Sequence, residues 1–155
     1  MKFSDKEKEL IKEQLFILDR LERAFNASIT RIKQLDLEKI ETFDEWEPVD
    51  AFLDKFERLI DFSFQRIFRT IYKIENRTDP VSLIQLTHFI VKMWFAEDED
   101  FLIYIKDLRN RIAHEYIWIW IYHTQEFIEE IIKAFNKFKL TLDAIKTYFR
   151  KLIRD

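Results

Sequence analysis

The chain contains no glycine, and this absence restricts the fold more than any residue that is present. Tight β-hairpin turns use glycine for left-handed backbone conformations, and phosphate-cradling loops use it to bring the backbone close to a ligand. The composition therefore argues against an all-β fold, a P-loop and a Rossmann-type nucleotide turn. Because only two prolines interrupt the chain, we predict an all-α protein.

Cysteine is also absent, which removes disulfides, thiol nucleophiles and thiolate metal sites. The first residues carry no apolar signal segment. The longest unbroken apolar run, residues 116–122, is too short to cross a bilayer. These absences predict a soluble, cytoplasmic protein that does not act in the membrane.

The chain lacks an excess of positive charge: it has 26 basic and 29 acidic side chains, for a formal net charge of −3. This balance argues against nucleic-acid binding by bulk charge. The distribution is uneven, however: residues 1–100 hold 16 basic and 22 acidic side chains, whereas residues 101–155 hold 10 and 7. The C-terminal third is the positive part of the chain, which permits a phosphate-containing ligand there.

Apolar residues recur at steps of three and four along most of the chain, which is the helical period. The predicted helices span residues 5–33, 50–76, 80–95, 101 into the segment discussed next, and 124–152. Asp50 and Asp79 are read as helix caps, and residues 34–49 as a connection with a short helical turn. Residues 1–155 are thus predicted to form one domain, a four- to five-helix up-and-down bundle around a central second helix.

The most chemically capable stretch is residues 106–116, Lys-Asp-Leu-Arg-Asn-Arg-Ile-Ala-His-Glu-Tyr. Asn110 and His114 are four residues apart and share one face of a helix. An imidazole titrates near neutral pH and can move protons, while a guanidinium can bind phosphate with two hydrogen bonds. Arg109 and His114 are about 140° apart on an ideal helix, so they meet one ligand only if the helix ends or bends near Ala113.

A purely structural interpretation of these residues also stays open. Asn110, Arg111 and His114 can form a hydrogen-bonded cluster that closes the helix C-terminus. Asp107 and Glu115 would then supply the acidic partners.

The stretch resembles the Arg-x4-His-x-Tyr motif of the HEPN superfamily, and within it the HepT-like toxins and the nucleotidyltransferase-associated substrate-binding proteins. The residues that carry the resemblance are Arg109, His114 and Tyr116, together with Asn110 directly after the arginine. The resemblance implies a HEPN-like bundle that dimerises and cleaves RNA without a metal or cofactor. The products it implies are 2′,3′-cyclic phosphate and 5′-hydroxyl ends.

The resemblance also implies a role for each position. Arg109 would bind the scissile phosphate, His114 would be the acid–base residue, and Asn110 would orient the imidazole or the substrate. Arg111 competes with Arg109 for the phosphate role. Tyr116 would be the site of adenylylation by a cognate nucleotidyltransferase antitoxin. The alternative is a non-catalytic partner that presents substrate to a separate nucleotidyltransferase subunit.

Other polar residues are expected to be structural. His88 lies among apolar neighbours and is predicted to be a core or boundary residue, and His123 is predicted to have a local role. The carboxylate pairs at 98/100 and 129/130 lack an inward-facing Glu-x-x-His arrangement, so no metal site is predicted. The Ile-Trp-Ile-Trp-Ile run at 117–121 is predicted to form an interface with a partner or a second copy.

Overall fold

The computed structural model describes residues 3–114 and 124–155, and its regular elements there are all helices, which confirms the predicted all-α bundle. The helices are α1 (Asp5–Lys33), α2 (Phe43–Phe62), α3 (Phe68–Asn76), α4 (Leu83–Lys92), α5 (Glu99–His114) and α6 (Thr124–Arg154). A 3-10 turn precedes α2 at Leu37–Lys39, and a π-helical turn at Ser63–Ile67 joins α2 to α3. None of the described helices is long and apolar enough to cross a membrane.

The continuous helix formed by α2, the π turn and α3 is the centre of the core, as predicted. Its buried side chains recur on nearly every turn because phenylalanine, isoleucine and leucine occur nearly all round it. They are Val49, Phe52, Leu53, Phe56, Leu59, Ile60, Phe64, Ile67, Phe68, Ile71, Tyr72 and Ile74. Phe25 of α1 joins this centre, with its ring centroid 5.1 Å from that of Phe52 and 4.8 Å from that of Phe135 of α6. Three helices therefore share one aromatic cluster.

The long helices alternate in direction, which is the up-and-down arrangement. Arg31 near the end of α1 pairs with Glu47 near the start of α2, and Glu7 near the start of α1 pairs with Arg77 beyond the end of α3. Phe101 at the start of α5 contacts Lys137 in the middle of α6, whereas Arg111 near the end of α5 contacts Phe127 near the start of α6, so these helices run in opposite directions. Helix α5 lies between α2 and α6, so residues 106–114 have neighbours on two sides.

Helix α2 begins earlier than predicted, at Phe43 rather than after Asp50. The Thr42 hydroxyl accepts a hydrogen bond from the Glu45 amide and caps the helix. Pro48 lies inside the second turn, where it removes one intrahelical hydrogen bond without ending the helix. Asp50 is therefore an interior residue, and partial burial raises the pKa of its carboxyl.

Helix α4 is shorter than predicted at both ends. Ser82, not Asp79, is its N-cap, and the Ser82 hydroxyl accepts from the Gln85 amide. The helix ends at Lys92 instead of Phe95, because Trp94 adopts a left-handed backbone conformation with φ of 65°. Glycine usually occupies this position after a helix, and in a glycine-free chain Trp94 fills it after α4 while Arg77 does so after α3.

Replacing Trp94 with glycine is expected to raise the free energy of unfolding by about 1 kcal/mol, since only glycine avoids the steric cost of the left-handed conformation. Little burial is lost, because the Trp94 side chain is 91% exposed. Urea unfolding measures the change. Trp94→Ala is the matched control, because it removes the ring but keeps the Cβ atom. Equal stability of the two variants would contradict the explanation.

Two aromatic residues at the start of α2 differ in their burial. Trp46 is partly buried and packs against the core. Phe43, by contrast, is 85% exposed. As the first residue of α2, Phe43 points away from the core-facing stripe that begins at Val49 and Phe52.

Candidate functional site

The last two turns of α5 carry the residues singled out in the sequence. Leu108 and Ile112 are buried, so the helix is fixed to the core through this side. Asn110 and His114 are exposed and lie one helical turn apart. The predicted shared face of Asn110 and His114 is thus open to a ligand or a second molecule.

Arg109 faces the central helix and forms ion pairs there with two carboxylates. Its Nε donates to Oδ1 of Asp61 at 2.7 Å, and its Nη2 donates to Oδ2 of the same carboxylate at 2.9 Å. Glu57, one turn earlier on α2, has an oxygen 3.9 Å from Nη2. The Arg109 side chain is 23% exposed. The hydrogen bonds that the guanidinium donates to Asp61 raise its pKa further above the usual value for arginine.

Arg111 faces the other neighbour, α6. Its Nη1 lies 3.1 Å from Oε1 of Glu130, and its guanidinium carbon lies 4.8 Å from the centroid of the Phe127 ring. The Tyr104 hydroxyl donates to the same Glu130 oxygen at 2.6 Å. Partial burial, and then the bond to Glu130, raise the pKa of Tyr104 to about 12. Arg111 is therefore part of a polar cluster between α5 and α6.

The two arginines thus point to opposite sides of α5. The helix continues through His114, so no bend at Ala113 turns Arg109 and His114 toward each other. On the helical wheel, Arg111 is about 60° from His114, whereas Arg109 is about 140° from it. Within one chain, the structure brings Asn110, Arg111 and His114 toward one side and leaves Arg109 beside α2.

The sequence could not reveal Asp61, Glu57 and Glu130, the carboxylates that hold the two arginines. Each lies on another helix, so no spacing rule connects it to the motif. The expected acidic partners of the Asn110–Arg111–His114 cluster were Asp107 and Glu115. Glu115 lies outside the described residues, and the described ion pair of Arg111 is with Glu130 of α6. Asp61 carries one local signal, a charge within the apolar run of the central helix.

Several predicted residues have other outcomes. His88, expected in the core or at its boundary, has a side chain that is 69% exposed, and its Nδ1 lies 2.6 Å from Oε1 of Glu99. That expectation was wrong because α4 turns its Leu86–Ile90 side, not the His88 side, toward the bundle. Tyr116, His123 and the run 117–121 lie outside the described residues.

No group of three or more potential metal ligands occurs within residues 3–114 and 124–155. The two carboxylates of α2 beside the motif, Asp61 and Glu57, face the Arg109 guanidinium. These carboxylates therefore serve as the anionic partners of an arginine.

Glu57 is expected to make stability depend on pH. Burial, the largest cause, raises its pKa above the usual 4.5 despite the nearby Arg109. As pH rises from 4.5 through the folded-state pKa, the unfolded chain ionises first, so the free energy of unfolding falls. Glu57→Gln should remove this fall. The free energy of unfolding of the variant, relative to that of wild type, should therefore increase with pH and then become constant.

Urea unfolding of wild type and Glu57→Gln between pH 4 and pH 7 measures the effect. Asp19→Asn removes a carboxylate from an exposed pair with Arg23 on α1 and controls for the lost charge. A difference between Glu57→Gln and wild type that stays constant over this range would contradict the assignment.

A second surface feature lies at the other end of α5. A groove of about 850 Å³ is bordered by Trp94, Phe101 and Leu140, with Lys137 stacked over the Phe101 ring at 4.3 Å. It is separated from His114 by most of the length of α5, about 20 Å at 1.5 Å per residue. It is therefore not part of the motif region.

Comparison with protein-family models, with curated proteins and with solved structures gives no match to this chain.

Proposed function

We propose that this protein is a metal-independent endoribonuclease of the HEPN type, acting in the cytoplasm as the toxin of a toxin–antitoxin pair. The observation that carries the proposal is the arrangement on the last two turns of α5. An exposed imidazole and an exposed amide, His114 and Asn110, lie on the same side of α5 as the guanidinium of Arg111. A second guanidinium, that of Arg109, is held on the α2 side by Asp61. These groups supply proton transfer and phosphate binding, which are the requirements of RNA cleavage by the ribose 2′-hydroxyl.

In the proposed reaction, a neutral His114 imidazole removes the proton from the 2′-hydroxyl. The 2′-oxygen then attacks phosphorus, and the bond from phosphorus to the 5′-oxygen breaks. A protonated imidazole gives its proton to that leaving oxygen, and an arginine stabilises the charge that develops on the phosphate oxygens. The products are a 2′,3′-cyclic phosphate and a 5′-hydroxyl.

Two chains complete this mechanism better than one. A single imidazole cannot act as base and acid in the same step, and Arg109 and His114 of one helix face different directions. A two-fold axis along the exposed face of α5 supplies two copies of each group to one cleft. Under this proposal the active form is a homodimer, and Arg111 contributes to phosphate binding from the His114 side.

The proposal includes control by a nucleotidyltransferase antitoxin that adenylylates Tyr116. Tyr116 follows His114 by two residues. An added nucleotide would bring negative charge to the phosphate-binding region and block it by size.

Cleavage of bulk RNA by the purified chain in EDTA tests the proposal. We expect fragments with 2′,3′-cyclic phosphate and 5′-hydroxyl ends. RNA left intact by a folded, dimeric protein would contradict it.

One observation favours a second candidate, a non-catalytic partner that presents substrate to a separate nucleotidyltransferase subunit. Arg109 pairs with two carboxylates and faces away from His114. Such ion pairs can also serve only to join two helices, as in a protein without catalytic activity. This candidate predicts no RNA cleavage, and equal complex formation with the nucleotidyltransferase by wild type and His114→Ala.

A further inference from the structure

Asp61 binds only one of the two hydrogen-bonding edges of the Arg109 guanidinium. Its carboxylate accepts from Nε and Nη2, which form the side edge of the group. A guanidinium has a second edge, formed by Nη1 and Nη2, which matches two oxygens of a phosphate equally well. The contact with Asp61 thus fixes the plane of the group and is compatible with a phosphate on its end edge.

We propose that Asp61 is a positioning residue, which holds the Arg109 guanidinium so that its Nη1–Nη2 edge meets the scissile phosphate. This inference rests on the proposed ribonuclease function. An arginine that is already fixed loses less side-chain freedom when it binds phosphate, and it keeps the alignment that transition-state stabilisation requires. The charge of the guanidinium is unaffected, since arginine stays protonated in proteins.

Glu57 does not share this role. Its oxygen is 3.9 Å from Nη2, beyond hydrogen-bonding distance, whereas both oxygens of Asp61 bond at 2.7 and 2.9 Å. Asp61 is therefore the residue that sets the orientation of Arg109.

The local structure around Asp61 supports a specialised position. The helix changes to a π turn at Ser63–Ile67, two residues after Asp61. Such turns widen a helix by one residue, shift the following side chains around the axis, and are frequent at functional sites. Lys106, one turn before Arg109 on α5, has its ammonium 5.6 Å from the ring centroid of Phe64 in this turn. The π turn therefore lies against the same side of α5 as Arg109.

The test uses the full chain and two RNA probes, a cleavable oligonucleotide and its uncleavable 2′-O-methyl analogue. Asp61→Asn is expected to lower kcat about 10- to 100-fold, with a smaller change in the Kd of the analogue. Asp54→Asn makes the same chemical change two turns earlier on α2, in an exposed pair with Arg58. It is expected to leave both kcat and the Kd within about two-fold of wild type. Asp61→Glu keeps a carboxylate and should recover part of kcat. This variant keeps the test possible if Asp61→Asn folds poorly.

The background of Arg109→Ala separates positioning from general structural support. In that background, Asp61→Asn should have no further effect on kcat, because there is no guanidinium left to orient. A further large loss there would overturn the inference and show a structural role for Asp61. Wild-type kcat in Asp61→Asn, beside a loss in Arg109→Ala, would also overturn it while leaving the proposed function intact. Failure of wild type to cleave or bind either probe would overturn both.

Discussion

Replacing Lys146 with methionine is expected to lower the free energy of unfolding by about 3–5 kcal/mol. Lys146 lies in α6 with 8% of its surface exposed, and its ammonium is 2.8 Å from Oε1 of Glu22 in α1, a residue that is 5% exposed. Methionine keeps most of the aliphatic stem but removes the charge. The Glu22 carboxylate would then be buried without its partner, which is the costly part of breaking such a pair.

The Glu22–Lys146 contact depends on charge more than on hydrogen-bond direction. Although the two atoms are close, Oε1 of Glu22 receives no hydrogen bond of favourable geometry within the described part of the chain. Replacing both residues, Glu22 with leucine and Lys146 with methionine, should therefore recover most of the loss or exceed wild-type stability.

Lys12→Met is the matched control for Lys146→Met. Lys12 pairs with Glu9 at 3.0 Å, but both side chains are more than half exposed. Water already solvates these charges, so the change should stay within about 0.5 kcal/mol. Urea unfolding of the four proteins measures all of these values. Equal effects of the two lysine substitutions would contradict the burial argument.

Replacing His114 with alanine is expected to reduce RNA cleavage by about 10²–10⁴-fold, the usual contribution of a general acid or base. The loss should appear in kcat, because the imidazole acts on protons in the transition state more than on ground-state binding. Since His114 is exposed, its removal should change the free energy of unfolding by no more than about 0.5 kcal/mol.

His88→Ala is the matched control, since His88 is also exposed and also lies on a helix of the bundle. Its ring pairs with Glu99 near the start of α5, away from the motif. RNA cleavage by His88→Ala should therefore equal that of wild type. A similar loss in both variants would point to an effect on the fold and not to a role of His114 in proton transfer.

The helices could be predicted because their signals are local. The period of apolar residues predicted α1 and α6 nearly to the residue, and the lack of glycine predicted an all-α chain. The start of α2 was missed because Pro48 suggested a break, although the Thr42 cap lies before it. The early end of α4 was missed because the sequence gives no reason to expect a left-handed tryptophan.

The contacts that define the candidate site could not be predicted, because they join helices far apart in sequence. The motif indicated which side chains to examine, but not that Arg109 would meet Asp61 or that Arg111 would meet Glu130. Glu22 is a partial exception. It lies on the apolar stripe of α1 between Leu18 and Phe25, which marks a buried charge without identifying Lys146 as its partner.

Under the proposed function, His114 is the acid–base residue of an RNA cleavage that needs no metal ion. The most direct test is the cleavage of one RNA by wild type, His114→Ala and His88→Ala, purified identically and assayed in EDTA with analysis of the product ends. We predict cleavage by wild type and His88→Ala, with 2′,3′-cyclic phosphate ends, and its loss in His114→Ala. Equal cleavage by all three proteins, or intact RNA with all three folded, would contradict the claim.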